Sequence, residues 1–396
     1  MRIAAVVCEY NPFHNGHKYQ LERIREESGC DKILCLMSGC FTQRGDMALF
    51  DKYTRARHAV ENGADLVLEL PAAFAAGSAE QFARGAVHIL ASIPAVKVLC
   101  FGSESGTKED FLAAAGATLS EDRQFKALLK ENMKDGTSYV KARTQAVLAL
   151  HKEMDERLFT QPNNILGIEY CRALLQEGKG IEPLPLARVG GGFREEGLLK
   201  NFSSATAIRS AVARGEKKEK KLLKANVPQN VFAELARTEA GRTSYPEAAM
   251  CALLSASPEE VCSCPDCSEG LENRLRTMAK SNSGYEAVLE KCISKRYTRS
   301  RLKRIFLQNF LKIDRKDVRL YLENPLYYKV LAVKKNGAEG LLGALSQGSF
   351  RPLTRKSDVQ GLKREALACF ELDAHALELY NVLSHGNRNE FEMIQV

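Results

Sequence analysis

No stretch of this 396-residue chain approaches the ~18 consecutive apolar residues that a helical membrane span needs. The opening apolar run, Ile3–Val7, is too short for the hydrophobic stretch of a secretory leader, and Glu9 ends it. Twelve cysteines are present, yet their spacings build no disulfide framework. Scattered thiols of this kind fit a reduced, cytoplasmic setting without a membrane partner. Internal repeats and low-complexity tracts are also missing, so repeat arrays and disordered tails drop out. What remains is a globular composition, 45% hydrophobic and 27% charged, with room for two or three domains.

The charge is unevenly placed. Residues 1–210 hold 26 basic and 26 acidic side chains, which cancel, whereas residues 211–396 hold 31 against 23. Between Lys291 and Arg319, eleven lysines and arginines meet only two acids, Asp314 and Asp317. That density suits a phosphate backbone. Leu302, Ile305, Phe306 and Phe310 recur at helical spacing as a buried face, leaving Arg301 and Arg304 to point elsewhere. An ordinary solvated helix would mix signs, so Lys295, Arg296, Tyr297, Arg299 and Arg301 are candidates for RNA contact, with Tyr297 a possible stacking surface. The charged run Lys217–Lys224 reads as a solvated helix or linker.

The first half alternates apolar runs with helical patterns. Ile3–Val7, Ile33–Met37, Leu66–Leu68 and Val96–Phe101 predict strands. His17–Glu27, Lys52–Glu61 and Glu80–Ile93 predict helices between them. This rhythm argues for an α/β fold with a doubly wound parallel sheet, followed by a mainly helical C-terminal region. Residues 107–160 read as a helical elaboration. A helix is expected from Ile165 to about Gln176, and a strand at Leu186–Val189 before the turn Gly190-Gly191-Gly192. The divisions expected are 1–210 for the sheet domain, 211–320 for a helical, basic, RNA-binding region, and 321–396 for a small α/β subdomain. The last of these should hold a strand at Tyr327–Val333 and a helix at Ala338–Leu345.

Tyr10-Asn11-Pro12-Phe13-His14-Asn15-Gly16-His17 carries the chemistry, because it joins the first strand to the first helix. Backbone N–H groups and the helix dipole attract phosphate there, Gly16 permits close approach, and each imidazole can donate to a phosphate oxygen. Zinc is the weaker reading, since no third ligand stands at a suitable spacing. Ser204-Ala205-Thr206-Ala207-Ile208-Arg209 offers hydroxyls at a helix start and an arginine one turn in. Alone it would be an ordinary helix cap; beside the histidine loop it can serve a second phosphate. Arg188 follows the same logic or is a surface arginine. The loop Ser38–Asp46 is long and glycine-punctuated for a ligand-side connection. Lys52 and Arg55, on the next helix, could bind anions, but the stronger expectation is that they face solvent. Cys262, Cys264 and Cys267 lack a fourth ligand, so a zinc or iron–sulfur site is not expected.

Together these residues resemble a known family. The N-terminal half is similar to the nucleotidylyltransferase superfamily, with two histidines flanking a glycine and a later Ser/Thr-rich Ile-Arg motif. Residues Glu9–His17, Gln43–Gly45, Pro162–Tyr170, Ser204–Arg209, Glu269–Arg274 and Lys295–Arg299 resemble the tRNA(Met) cytidine acetate ligases in order along nearly the whole chain. The resemblance implies use of ATP with Mg²⁺ to convert acetate to acetyl-adenylate. Acetylation of the wobble cytidine of elongator tRNA(Met) to N4-acetylcytidine would follow. It implies catalytic roles for His14 and His17, which would stabilise the departing pyrophosphate. It implies ATP contacts at Val7, Cys8, Glu9, Tyr10, Asn11, Pro12, Phe13, His14, Asn15, Gly16, His17, Lys18, Tyr19, Gln20, Gly102, Asn163 and Arg188. The superfamily motif adds Ser204, Thr206 and Arg209. The alternative is an adenylyltransferase acting on a small phosphorylated or nucleotide acceptor, which would leave the basic half idle.

Overall fold

A computed structural model describes residues 1–396 apart from 121, 135–136, 189–197, 199–201, 217–218, 239–242, 269 and 283. The glycine turn 190–192 lies outside the described residues. Four apolar strands open the fold: β1 (Ile3–Cys8), β2 (Lys32–Ser38), β3 (Leu66–Leu70) and β4 (Val96–Ser103). Nearly every residue of β1 to β3 is buried, as expected of parallel strands covered on both faces. The expected strand at Leu186–Val189 is instead β5 (Glu182–Ala187), shifted toward the N-terminus. Its two prolines, Pro183 and Pro185, disguise it in the sequence. They are tolerated because β5 pairs only with β4 and lies at the sheet edge.

The strand order β5-β4-β1-β2-β3 is parallel throughout and reverses direction at β1. The chain steps one way from β1 to β3, then returns to the other side of β1 with β4. A crevice therefore opens between the carboxyl ends of β1 and β4, where the two sets of loops diverge. The capped helix Ala79–Leu90, with its Ser78–Gln81 capping box, packs against helix Pro162–Glu177 over one face. The helical elaboration expected at 107–160 contains Lys108–Leu119, Arg123–Asn132, Tyr139–Leu150 and Arg157–Thr160.

The C-terminal segment adds to the same sheet. β6 (Tyr327–Val333) runs antiparallel along β3, and β7 (Arg351–Leu353) and β8 (Ile394–Gln395) pair with β6. Most of the intervening chain is helical, including Tyr245–Ser255 and Arg299–Phe310, which pack on each other. No helix among the described residues is long and apolar enough to cross a membrane.

Lys52 and Arg55 correct the sequence expectation: neither faces solvent, and both are fully buried. Lys52 Nζ donates to Glu69 at 2.7 Å and to Glu390 at 2.7 Å. Burial opposes its charge, but Glu390 and Glu69 hold its pKa well above the usual lysine value. Burial pushes the Glu69 carboxyl up to about 8 against the pull of Lys52. Arg55 donates to the carbonyls of Glu9 (2.6 Å), Ser38 (3.2 Å), Phe50 (2.9 Å) and Gly39. One guanidinium thus braces the loops that leave β1 and β2. The sequence conceals this because the acids that compensate Lys52 lie 17 and 338 residues away.

Lys52→Met leaves two buried carboxylates without their cation and should cost roughly 3–5 kcal/mol. Urea unfolding measures this, and Lys316→Met on the exposed surface should change stability by less than about 0.5 kcal/mol.

Candidate active site

β1 ends at Cys8, and the chain leaves the sheet through Tyr10, whose φ of 46° places it in the left-handed region. The Tyr10 ring meets Phe13 edge-on at 4.8 Å and His17 at 4.7 Å. This apolar floor supports the start of helix Asn15–Glu27, where His14 takes the N-cap position. His14 Nδ1 accepts the Gly16 N–H at 3.1 Å. His17 Nδ1 accepts the His14 N–H at 3.3 Å, closing a capping box made of two imidazoles. The rings stack with centroids 3.6 Å apart. Gly16 is needed for this packing, since a Cβ there would stand 2.9 Å from the His14 ring.

These bonds decide the protonation chemistry. A neutral imidazole carries one proton, so a ring that accepts at Nδ1 carries it on Nε2. Both histidines are held neutral. Burial, then Arg188 and Arg209, lowers His14 to about 3. Burial, then His14 and Arg188, puts His17 well below the ordinary histidine value. The pair therefore offers Nε2–H donors at a helix N-terminus without bringing positive charge of its own.

The cleft beside them, with about 530 Å³ of free space open to solvent, gathers four segments. His14, Gly16, His17, Tyr19, Gln20 and Arg23 come from the first loop and helix. Gly102 comes from the end of β4, Arg188 from just past β5, and Phe202, Ser203 and Ser204 from the next helix start. Six of the sequence candidates beyond the two histidines are thus brought together: Gly16, Tyr19, Gln20, Gly102, Arg188 and Ser204. Arg23, Phe202 and Ser203 carried no motif and were not anticipated.

The other candidates stand behind the cleft wall or outside it. Val7 and Cys8 belong to β1, Pro12 and Phe13 to the buried loop, and Lys18 is exposed on the helix. Glu9 accepts the Gln43 N–H at 2.7 Å, and Asn11 accepts the Leu49 N–H at 2.8 Å. Asn15 reaches across to the Ala225 carbonyl at 2.9 Å. Asn163 donates to Glu104 at 2.5 Å. Its neighbour Asn164, fully buried, accepts the Glu104 N–H at 2.9 Å and so fixes the loop after β4. Ser204 is the N-cap of helix Ala205–Arg214, accepting the Ala207 N–H at 3.1 Å, so its cap reading holds while it also lines the cleft. Thr206 accepts from Arg44 at 3.0 Å and Arg209 at 3.3 Å, and Arg209 donates to the Asn11 carbonyl at 2.6 Å. Arg209 thus ties the later motif to the histidine loop, and Thr206 ties it to Arg44 of the loop after β2.

A switch-point cleft with a two-histidine helix cap finds its counterpart among known proteins. The model of the HIGH Nucleotidyl Transferase family matches residues 1–393. A tRNA(Met) cytidine acetate ligase of Clostridium botulinum (strain Langeland) is 34% identical over 98% of this chain and 96% of its own. The enzyme so described in Acetivibrio thermocellus is 34% identical over 90% and 88%. This chain belongs to the tRNA(Met) cytidine acetate ligase family. Two crystal structures of Thermotoga maritima TmcAL span all of both chains. The apo form has a TM-score of 0.92 at 28% identity, and the form bound with alpha-thio ATP has 0.89 at 29%.

In this member of the family the basic helix Arg299–Phe310 is more internally paired than its sequence suggests. Arg299 meets Glu286 and Glu290, and Lys303 meets Asp46. Arg301 donates to the Asp266 carbonyl at 2.9 Å and Ser268 at 2.7 Å, and Arg304 to the Asp266 carboxylate at 2.7 Å. Tyr297 is not a free stacking surface: it is 8% exposed, with Arg301 over its ring. The acids that neutralise this stretch come from other segments, which a local reading of charge misses. Lys295 is exposed and Arg296 half-buried. Gly45, at φ 77°, packs against the backbone of Lys303 and Arg304, where a Cβ would stand 2.5 Å from the Lys303 carbonyl carbon.

Among the described residues no group of three or more His, Cys, Asp or Glu side chains is arranged to hold a metal ion. Burial pushes the thiols of Cys264 and Cys267 up to about 12. Their loop is held by its backbone, with Arg315 donating to the carbonyls of Cys262 (3.1 Å), Cys264 (2.9 Å) and Cys267.

Below pH ~6.5 the unfolded chain protonates His14, while the folded chain resists until the pH nears 3. Stability should therefore fall as pH drops through that window, by up to roughly 1.4 kcal/mol per unit. Urea midpoints against pH check this. His14→Asn keeps a cap acceptor and should flatten the profile.

Proposed function

We propose that this chain activates acetate with ATP in the two-histidine cleft and transfers the acetyl group to the wobble cytidine of elongator tRNA(Met). In the first step an acetate oxygen attacks the α-phosphorus, the bond to the β-phosphate oxygen breaks, and pyrophosphate leaves. In the second, the cytidine N4 attacks the acetyl carbon, the bond to AMP breaks, and a proton is lost, giving N4-acetylcytidine. A free carboxylate is a poor electrophile, and adenylation supplies the leaving group it lacks. Holding tRNA beside the adenylate makes the second attack effectively intramolecular. The setting is cytoplasmic, where ATP and tRNA meet.

The observation that supports this most strongly is the locked tautomer of His14 and His17. Two fixed Nε2–H donors meet negative charge as it grows on the leaving phosphates without having to reorganise. Arg188, also in the lining, adds a guanidinium whose pKa burial lowers from the ordinary arginine value. The described cleft lining contains no aspartate or glutamate. Mg²⁺ would then be carried by the nucleotide's own phosphates rather than by a carboxylate among these described lining residues. Family membership, the alpha-thio ATP bound by the Thermotoga maritima relative and the basic C-terminal half all favour this reading.

Acetate-dependent exchange of pyrophosphate into ATP, followed by acetyl transfer to tRNA, tests both steps. His17→Ala should lower the exchange by about 10²–10³-fold while tRNA affinity stays within twofold. Exchange that needs a phosphorylated small molecule in place of acetate would favour an adenylyltransferase instead. Lys295→Ala with Arg296→Ala should weaken tRNA binding and flatten its salt dependence, leaving the exchange intact.

A further inference from the structure

We infer that the exposed face of helix Lys220–Asn226, with Lys18 beside it, grips tRNA phosphates at the rim of the nucleotide cleft. The inference rests on the tRNA-acetylating reading above and names a surface that reading left unassigned. Its starting point is the redistribution of charge just described. Arg299, Arg301, Lys303 and Arg304 are held by groups from elsewhere in the chain, so much of their positive field is spent internally. Lys220, Lys221 and Lys224 differ. All three are exposed, and none meets a carboxylate within ion-pair distance among the described residues. The acid that precedes them, Glu219, is taken by Arg214 at 2.6 Å.

Position makes this helix more than a solvated charge run. Its C-terminal end is pinned to the cleft by two contacts. Asn15, adjacent to the capping histidine, donates to the Ala225 carbonyl at 2.9 Å. Asn226, fully buried, accepts the N–H of cleft residue Ser203 at 2.6 Å and donates to the Leu222 carbonyl at 2.9 Å. Lys18 lies one turn beyond Asn15 on the same face of its helix, exposed, so it extends the basic patch from the other side of the junction. A polyanion lying across these lysines would contact elements bonded directly to His14's neighbour and to Ser203. Compact ammonium groups on flexible stems suit a phosphodiester chain read by charge rather than by base. The surface is small, so it acts with other contacts rather than alone.

The test uses the full-length protein with Lys220→Gln, Lys221→Gln and Lys224→Gln combined. A control carries Lys126→Gln and Lys130→Gln on helix Arg123–Asn132 and Lys134→Gln just past its end, which removes the same net charge elsewhere. The first triple should raise the Kd for tRNA at least tenfold near physiological salt. It should lower the slope of log K against log salt by about 2–3, roughly one per lost phosphate contact. Acetate-dependent exchange without tRNA should be unchanged in both proteins, and the control should bind tRNA normally. Unaltered tRNA affinity in the first triple overturns the inference and leaves the proposed function standing. Equal losses in both triples overturn it as well, because net charge alone would explain them. Selective loss of RNA binding, in a protein whose parent acetylates no tRNA, would support the surface and sink the proposed reaction. No binding of tRNA by the parent would overturn both.

Discussion

The site depends on one short exchange of hydrogen bonds, in which two imidazoles accept backbone N–H groups at the first turn of a helix. A helix start ordinarily leaves these donors for a serine, an aspartate or water. Here the capping groups are titratable, and capping withdraws their acceptor nitrogens from further chemistry. Protonation of either ring would put a donor against a donor and cost the cap. Neutrality is thus a requirement of the local fold as well as a result of burial and of nearby arginines. The binding surface and the helix start are built from the same atoms, so neither can be altered alone.

Around this point the protein relies on buried charge to hold loops that carry little apolar surface. Arg55 collects carbonyls from the ends of β1 and β2, and Arg209 takes the Asn11 carbonyl from the other side. Carbonyls at the end of a buried parallel sheet have no strand partner, and leaving them unpaired in the interior is costly. Guanidinium groups answer several at once in fixed geometry. Lys52 does a related task between β3 and the C-terminal segment, bonded to Glu69, whose carboxyl burial pushes up, and to Glu390.

How much of this could be read beforehand follows from whether its cause was local. Strand and helix alternation through β4, the histidine loop and the Ser204 helix start are properties of neighbouring residues, and each was visible as pattern. Helix Lys52–Glu61 was anticipated to the residue, but not its orientation, because the partners of Lys52 and Arg55 belong to distant segments. Pro183 and Pro185 hid β5, since proline signals an interruption unless one side of a strand is already unpaired. Tyr297 and the arginines after it seemed available for the same reason, as Glu286, Glu290 and Asp266 approach only in the folded chain. The family resemblance pointed to the cleft's walls. It carried no hint that Phe202 and Arg23 line them.

The antiparallel pairing of β6 with β3 has a temporal meaning. A ribosome delivers the histidine loop long before residues 327–333, and the far edge of its sheet stays open until these emerge. Lys52 waits longer still, for Glu390. The early strands are therefore made long before the segments that complete their sheet, and a nascent chain must shelter a bare apolar strand edge in the meantime.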